Sequence, residues 1–235
     1  MVHAASPLST RSILRSCRLL QPLQDGQIDD LAAQSRMVSC GKNQVIWNHG
    51  HECEFIGAIG VGFVKMVRTR PTGVETTLEI MGPGHMFGVL GAFEGGGCPL
   101  TAMSMSRTVF VKVPKVAMMI YYESCHELKS ALIRRVALRM HEKLDIMAQF
   151  ANGRVEARLA ALLFTLAESY GVPVGKAVSL EVPLTRQELG EMVGTTTETT
   201  IRTLSKWSRE GVVSTTQQHI TILSTELLEQ KLDES

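Results

Sequence analysis

The sequence predicts an α+β protein with an antiparallel β domain, a long helix and a C-terminal winged helix-turn-helix. Three observations indicate this class. Within residues 38–113, apolar and polar residues alternate in short segments that are separated by glycines, which is typical of β-strands. The other two observations indicate helices. Residues 123–152 contain neither glycine nor proline, and two helix N-cap signals followed by a hairpin pattern lie after residue 184. The predicted domain ranges are 1–122, 123–152 and 153–235.

The strand prediction for the first range depends on residues that alternate between apolar and polar. Val74, Thr76, Leu78 and Ile80 alternate with polar neighbours, and residues 109–113 repeat the pattern. Glycines at 82–84, 88, 91 and 95–97 indicate turns or close backbone approaches. The pattern predicts an antiparallel barrel, roll or sandwich. A short helix over residues 22–34, with Ile28 and Leu31 facing inward, is predicted to come before it in the sequence.

The second range carries an apolar stripe at helical spacing. Its members recur every three or four residues: Leu128, Leu132, Val136, Met140, Leu144, Met147 and Ala151. About 28 helical residues extend roughly 40 Å, which is longer than a small domain is wide. Two interpretations stay open: the stripe packs on its own β domain, or it forms a coiled-coil-like dimer seam.

The third range contains two capped helices and a hairpin. Thr185 is a good N-cap with Glu188 three residues on, so a capping box begins a helix that ends at Gly194. Thr196 caps a second helix, which ends at Gly211. Residues 212–213 and 220–222 then indicate two strands around a polar turn. A winged helix-turn-helix has this order of elements.

Composition excludes several classes of protein. The chain has 235 residues, 44% of them hydrophobic, and a formal net charge of +1, unlike a histone-like or an acidic disordered protein. It has no apolar run of about 18 residues and no secretory h-region, so we expect a cytoplasmic protein without a membrane partner. The five scattered cysteines predict free thiols, with a redox switch built from two of them as the alternative. No Walker loop, dinucleotide fingerprint, nucleophile elbow or zinc-protease motif occurs, so no enzyme is expected.

The charge of the third range argues against nucleic acid when taken in bulk. Eight Lys and Arg stand against eleven Asp and Glu, a net charge of −3. Four of the acids lie at the C-terminal end, however, whereas Arg186, Arg202, Lys206 and Arg209 cluster on or near the second helix. Phosphate contacts also come from hydroxyl, amide and backbone N–H groups. We therefore expect modest, salt-sensitive DNA affinity that depends on a dimer.

Two segments resemble the CRP/FNR superfamily of bacterial transcription factors. Residues 184–204 read L-T-R-Q-E-L-G-E-M-V-G-T-T-T-E-T-T-I-R-T-L, similar to the family's helix-turn-helix pattern. Residues 82–93, G-P-G-H-M-F-G-V-L-G-A-F, resemble a stretch of its cyclic-nucleotide-binding β-roll. The resemblance covers about residues 20–223. It implies a β-roll sensor domain, a dimerisation helix and a DNA-binding winged helix-turn-helix.

The resemblance also implies which residues contact DNA. Arg202 and Glu198 would enter the major groove, where arginine donates to guanine and glutamate accepts from cytosine. A plain surface salt bridge between these two side chains is the alternative. Thr197 and Ile201 depart from the family's best-known members, which leaves the flanking bases unassigned. The full predicted set is Thr185, Arg186, Gln187, Thr196, Thr197, Glu198, Thr199, Ile201, Arg202, Lys206 and Gln218, with His219 as an alternative to Gln218 in the wing.

The residues of the predicted sensor domain differ from those that bind the known effectors of the family. Cyclic AMP needs an acid after Gly88, where Val89 stands, and an arginine in the loop now occupied by residues 98–101. A [4Fe–4S] cluster needs a cysteine group, but Cys17 stands alone and Val111 occupies the apparent fourth position. Neither is expected. Haem, an apolar or weakly polar effector, and a constitutive or protein-modulated factor stay open. The implied effector pocket is Phe87, Gly88, Val89, Leu90, Thr101, Met140 and Leu144, and the implied dimer helix residues are Leu132, Val136, Met140, Leu144 and Met147.

The resulting expectation is a homodimeric, sequence-specific regulator that binds a palindromic double-stranded DNA operator and contacts RNA polymerase. Its β-roll would sense an unidentified effector and reposition the recognition helices. The alternative is a cyclic-nucleotide-type ligand-binding module that acts through protein contacts without DNA.

Overall fold

The β domain of the protein is built from two four-stranded sheets. The computed structural model describes residues 8–69, 75–152, 154–216 and 219–233. The strands are β1 (Arg36–Cys40), β2 (Val45–Trp47), β3 (Phe55–Val61), β4 (Val64–Thr69), β5 (Glu75–Met81), β6 (Met86–Phe87), β7 (Thr101–Ser104) and β8 (Thr108–Pro114). They form sheets of order β1-β8-β3-β6 and β2-β7-β4-β5. Their described registers are antiparallel, which confirms the predicted class of β domain.

Short helices close the β domain on its outer sides. They are α1 (Thr10–Ser16), a 3-10 turn (Arg18–Leu20), α2 (Asp25–Ala33), α3 (Val89–Glu94) and α4 (Lys115–Ser124). Ile28 and Leu31 on α2 are fully buried, so the predicted helix and its inward face are confirmed. Val111 and Val113 on β8 are also fully buried.

One strand departs from the predicted alternation. Ile80 on β5 is buried as expected, but Leu78 is 38% exposed and Thr77 is buried instead. Since β5 is an edge strand, its two faces are not enclosed equally along its length. Val74 lies outside the described residues.

The long helix predicted over residues 123–152 is confirmed with a start three residues later, and its apolar stripe is divided between a buried and an exposed part. Cys125 adopts an extended conformation, so α4 ends at Ser124 and a 27-residue helix, α5 (His126–Asn152), begins after it. Leu128 is fully buried in the core of the β domain and Leu132 is half-buried. Farther along, four apolar side chains are each at least 42% exposed: Ile133, Val136, Met140 and Leu144. Both interpretations of the stripe therefore find support, each on a different part of the helix.

The C-terminal range forms a second core around a four-stranded sheet. Its elements are α6 (Val155–Tyr170), β9 (Gly171–Val174), β10 (Ala177–Leu180), α7 (Arg186–Val193), α8 (Thr197–Arg209), β11 (Val213–Thr215), β12 (Ile220–Ile222) and α9 (Thr225–Asp233). The sheet has the order β11-β12-β10-β9. The predicted β11–β12 hairpin is confirmed; the β9–β10 hairpin and α9 were not predicted.

The described residues divide into two compact units. The first comprises residues up to Glu75 together with Glu79–Leu138, and the second comprises Thr76–Leu78 together with the residues from Arg139 onward. Among the described helices, none is both long and apolar enough to cross a membrane.

Candidate DNA interface

The first helix of the helix-turn-helix, α7, is fixed by a reciprocal cap. The Thr185 backbone N–H and hydroxyl both donate to Glu188 Oε2 at 2.9 Å. In return, Thr185 Oγ1 accepts from the Glu188 backbone N–H at 3.1 Å. The predicted capping box is therefore confirmed, and it satisfies donors at the N-terminus of α7 that would otherwise lack partners.

Glycine permits the tight turn that follows. Gly194 ends α7 in the left-handed conformation, with φ 64° and ψ 46°, as predicted. Gly190 lies one turn earlier, and a Cβ added there would lie 3.0 Å from both the Thr195 carbonyl oxygen and Thr200 Oγ1. The Thr195 N–H also donates to the Gly190 carbonyl at 2.8 Å. The absence of a side chain at position 190 thus lets α8 begin close against α7.

The second helix, α8, has one buried and one exposed face. Thr196 caps it by accepting from the Thr199 N–H at 3.1 Å, as predicted. The inward face carries Thr200, Thr203, Leu204 and the fully buried Trp207. The outward face carries Thr197, Glu198, Ile201, Arg202, Ser205 and Arg209. A helix held by one apolar face presents the other for contact with a partner.

Glu198 and Arg202 lie one turn apart on the exposed face. Within the described part of the chain they form no ion pair with each other. The alternative of a plain salt bridge between them therefore has no support in this structure. Both side chains are exposed.

The other basic side chains of the predicted set have partners. Lys206 donates from Nζ to Glu156 Oε1 on α6 at 3.0 Å. Arg186 donates to the backbone carbonyl of Thr216, beside the wing, at 3.3 Å, and burial lowers the pKa of its guanidinium. Gln187 is exposed and donates to Glu191 Oε1 at 2.9 Å. Gln218 lies outside the described residues.

The predicted pocket residues of the β domain lie around an aromatic cluster. Phe87 is fully buried, with its ring centroid 5.0 Å from that of Trp47 and 5.3 Å from that of Phe110. Gly88 is left-handed, and a Cβ there would lie 2.7 Å from Trp47 Cη2. Buried Thr101 accepts from the His49 N–H at 3.0 Å. The Trp47 indole thus occupies the space beside the motif glycine.

The remaining pocket residues are more open. Val89 begins α3 and is half-buried, whereas Leu90 on the same helix is exposed. Met140 and Leu144 are exposed on α5. Met147 lies on α5 at a position whose side chain is outside the described residues.

The cysteines near this cluster are free thiols. Cys53 and Cys98 are buried, and burial raises the pKa of Cys98 to about 12. Burial likewise raises the pKa of Cys17 to about 12. Metal-binding and nucleophilic cysteines are thiolates, so these two thiols are poorly suited to either role. No group of three or more His, Cys, Asp or Glu side chains that could hold a metal ion occurs among the described residues.

Two family models match the chain, in the order the two segments predict. The cyclic nucleotide-binding domain matches residues 37–124, and the Crp-like helix-turn-helix domain matches residues 157–231. The chain belongs to the CRP/FNR family of transcription regulators.

Curated CRP/FNR relatives match over most of the chain. The CRP-like cAMP-activated global transcriptional regulator of Mycobacterium tuberculosis is 26% identical over 216 residues, covering 92% of this chain and 96% of the relative. The anaerobic regulatory protein of Aggregatibacter actinomycetemcomitans is 24% identical over 196 residues, covering 83% and 75%. This member of the family thus spans most of the length of both relatives.

Two solved structures share the fold of this chain. FixK2 from Bradyrhizobium japonicum superimposes with a TM-score of 0.75 at 19% identity, covering 83% of this chain and 96% of FixK2. A CooA variant from Carboxydothermus hydrogenoformans gives a TM-score of 0.71 at 16% identity, covering 96% of each chain. At these identities the likeness concerns the architecture alone.

Sequence reasoning missed one charged residue of this region. Glu156, the partner of Lys206, lies 50 positions away in the sequence, and no local pattern links the two. The β9–β10 hairpin, by contrast, had a signal, since Gly175 and Lys176 form a two-residue connection with glycine at positive φ.

Proposed function

We propose that this CRP/FNR protein is a homodimeric, sequence-specific DNA-binding regulator that reads its operator with α8. The observation that carries the proposal is the exposed polar face of α8, which lies opposite the buried Trp207 face and begins at the Thr196 cap. Arg202 would donate to guanine O6 and N7, and Glu198 would accept from cytosine N4. Thr197 and Ile201 would meet the neighbouring base pairs.

The residues around α7 and the caps support the docking of such a helix. The proposed phosphate contacts are Thr185, Arg186, Gln187, Thr196, Thr199 and, in the wing, Gln218. Hydroxyl, amide and backbone N–H groups at helix N-termini commonly hold phosphate oxygens. Arg186 also connects α7 to the backbone of Thr216, so it would hold the wing at a fixed distance from α7.

The exposed stripe of α5 supports the dimer. Ile133, Val136, Met140 and Leu144 recur at intervals of three and four residues on one side of the helix, and each is at least 42% exposed. Apolar side chains at this spacing form the seam of helix pairs. Two copies related by a two-fold axis would present two α8 helices to a palindromic operator with half-sites about one DNA turn apart.

Bacterial DNA and RNA polymerase, the proposed partners, lie in the cytoplasm.

Removing the Arg202 side chain tests the proposed recognition directly. We expect Arg202→Ala to lower affinity for the selected operator by about 1–3 kcal/mol and to relax preference at the guanine position. Electrophoretic mobility shift with the operator and with single-base variants measures both effects. Equal loss on every sequence would make Arg202 a phosphate contact. No change on any sequence would favour a ligand-binding module that acts through protein contacts.

The β domain would sense an effector other than cyclic AMP. The Mycobacterium tuberculosis relative is named as cAMP-activated, but residues 95–101 of this chain contain no arginine to pair with a phosphate. Since a ligand without differential affinity shifts no equilibrium, we expect saturating cyclic AMP to change operator affinity by less than about two-fold. A larger increase, measured by mobility shift, would contradict this.

Metal-based effectors are tested separately. A [4Fe–4S] cluster does not fit, because no suitable group of ligands occurs among the described residues. Haem needs only one or two axial ligands, so it is an open alternative to an apolar effector. An absorption spectrum of freshly purified protein decides between them, since only haem gives a Soret band.

A further inference from the structure

Two ion pairs attach the C-terminal half of α8 to the rest of its domain. Lys206 Nζ lies 3.0 Å from Glu156 Oε1, and the Lys206 and Glu156 side chains are 44% and 25% exposed. Just after α8 ends, Glu210 Oε2 lies 3.1 Å from Lys231 Nζ on α9. The hydrogen bond and charge of Glu156 raise the pKa of Lys206. The positive charge of Lys206 is thus already engaged within the domain.

The Glu156–Lys206 pair joins the start of α6 to the end of α8. Glu156 is in the first turn of α6, where a negative charge is favoured by the helix dipole, and Lys206 is in the last turn of α8, where a positive charge is favoured. In sequence, Glu156 follows the end of α5 by only four residues. The pair therefore joins α8 to the element that directly follows the long helix.

We infer that Glu156 and Lys206 are positioning residues, which orient α8 through their ion pair instead of contacting DNA. The inference rests on the proposed function, and it replaces the DNA contact predicted for Lys206. A phosphate contact by Lys206 would leave the partly buried Glu156 carboxylate without its partner, which is costly. Because Glu198 and Arg202 are carried by the same helix, a small rotation of α8 displaces both of them from the base edges.

Substitution of Glu156 separates the two roles by the sign of its effect. If the pair positions α8, Glu156→Ala lowers operator affinity, by about three- to ten-fold for a partly exposed pair that occurs twice in a dimer. If Lys206 instead contacts phosphate, the same change frees Lys206 and removes a nearby negative charge, so affinity rises. Lys206→Met provides the matched removal of the other partner. We expect it to lower affinity by a similar factor.

The salt dependence gives a second readout, which distinguishes a positioning role for Lys206 from a phosphate contact. Each lost phosphate contact reduces the slope of log K against log salt by about 0.9, hence by about 1.8 for two protomers. We expect the slope of Lys206→Met to equal that of the wild type. A reduction near the value for two contacts would overturn the inference.

A charge-swapped variant distinguishes loss of the ion pair from misfolding of the domain. Lys206→Glu alone places two carboxylates together and should bind most weakly. Glu156→Lys combined with Lys206→Glu restores the pair and part of the affinity, because both exchanged charges then oppose the helix dipoles. Failure of the swap to recover affinity, with a normal thermal unfolding transition, would overturn the inference. If the wild type itself binds no selected duplex, the proposed function fails as well. If the wild type binds and Glu156→Ala binds as tightly or more tightly, only the positioning role fails.

Discussion

Replacing Met140 and Leu144 together with glutamate should convert the protein into a monomer that binds its operator at least about 100-fold more weakly, because the linked second half-site is lost. The two side chains are 62% and 49% exposed in the single chain, so the substitutions leave its cores intact. In the proposed dimer they face the partner's α5, where four carboxylates would meet in an apolar seam. Burying unpaired charge there is strongly unfavourable.

The same helix supplies a matched control for this experiment. Leu138 is 51% exposed, but it lies two residues from Met140 and therefore nearly on the opposite side of α5. Leu138→Glu should remain a dimer with unchanged operator affinity. Sedimentation velocity and mobility shift measure the two properties. Dissociation by Leu138→Glu, or a dimer that survives the double substitution, would contradict the assignment of the seam.

Trp207→Ala should have the largest effect on stability in the C-terminal domain. Trp207 is fully buried on the inward face of α8, and truncation of a buried Trp costs about 3–5 kcal/mol through lost burial and the cavity left behind. Such a loss is a large fraction of the stability of a small domain. Thermal unfolding followed by far-ultraviolet circular dichroism should show an earlier transition, with loss of operator binding at temperatures where that domain is unfolded.

Ile201→Ala is the control on the opposite face of α8. Ile201 is 48% exposed, so its truncation should change stability by less than about 0.5 kcal/mol while it alters operator preference. Equal destabilisation by the two substitutions would mean that α8 does not pack as described. Unchanged unfolding of Trp207→Ala would lead to the same conclusion.

The helix-turn-helix was predictable because its boundaries depend on local chemistry. Thr185 with Glu188, Gly194 and Thr196 each act within one helical turn, and the structure confirms all of these boundaries. Caps and left-handed glycines satisfy backbone groups regardless of what packs nearby. Signals of this kind are readable from a single sequence.

The start of the long helix at His126 was not predictable in the same way. The break at Cys125 has neither glycine nor proline to mark it. Two consecutive helices nevertheless pack there on the β domain, with Met118 on α4 and Leu128 on α5 both buried. Periodicity alone does not distinguish an apolar residue that enters its own core, such as Leu128, from an exposed one such as Met140.

The charges of the candidate site show the same limit. The sequence placed Lys206 among the basic residues of α8, but its partner Glu156 is 50 positions distant and becomes visible only in three dimensions. Glu210 and Lys231 are paired in the same manner. Each pair joins one acid to one base, so the pairs leave the net charge of −3 unchanged, but they remove Lys206 from the positive charges that are free to meet DNA.

Selection from a library of random duplexes with the wild-type protein tests the central claim most directly. The proposed dimer predicts enrichment of an inverted repeat whose half-sites lie about one helical turn apart, with a conserved G·C pair in each half-site for Arg202 and Glu198. Enrichment of no sequence, or of a single unrepeated site, would contradict a dimeric regulator that reads DNA with α8.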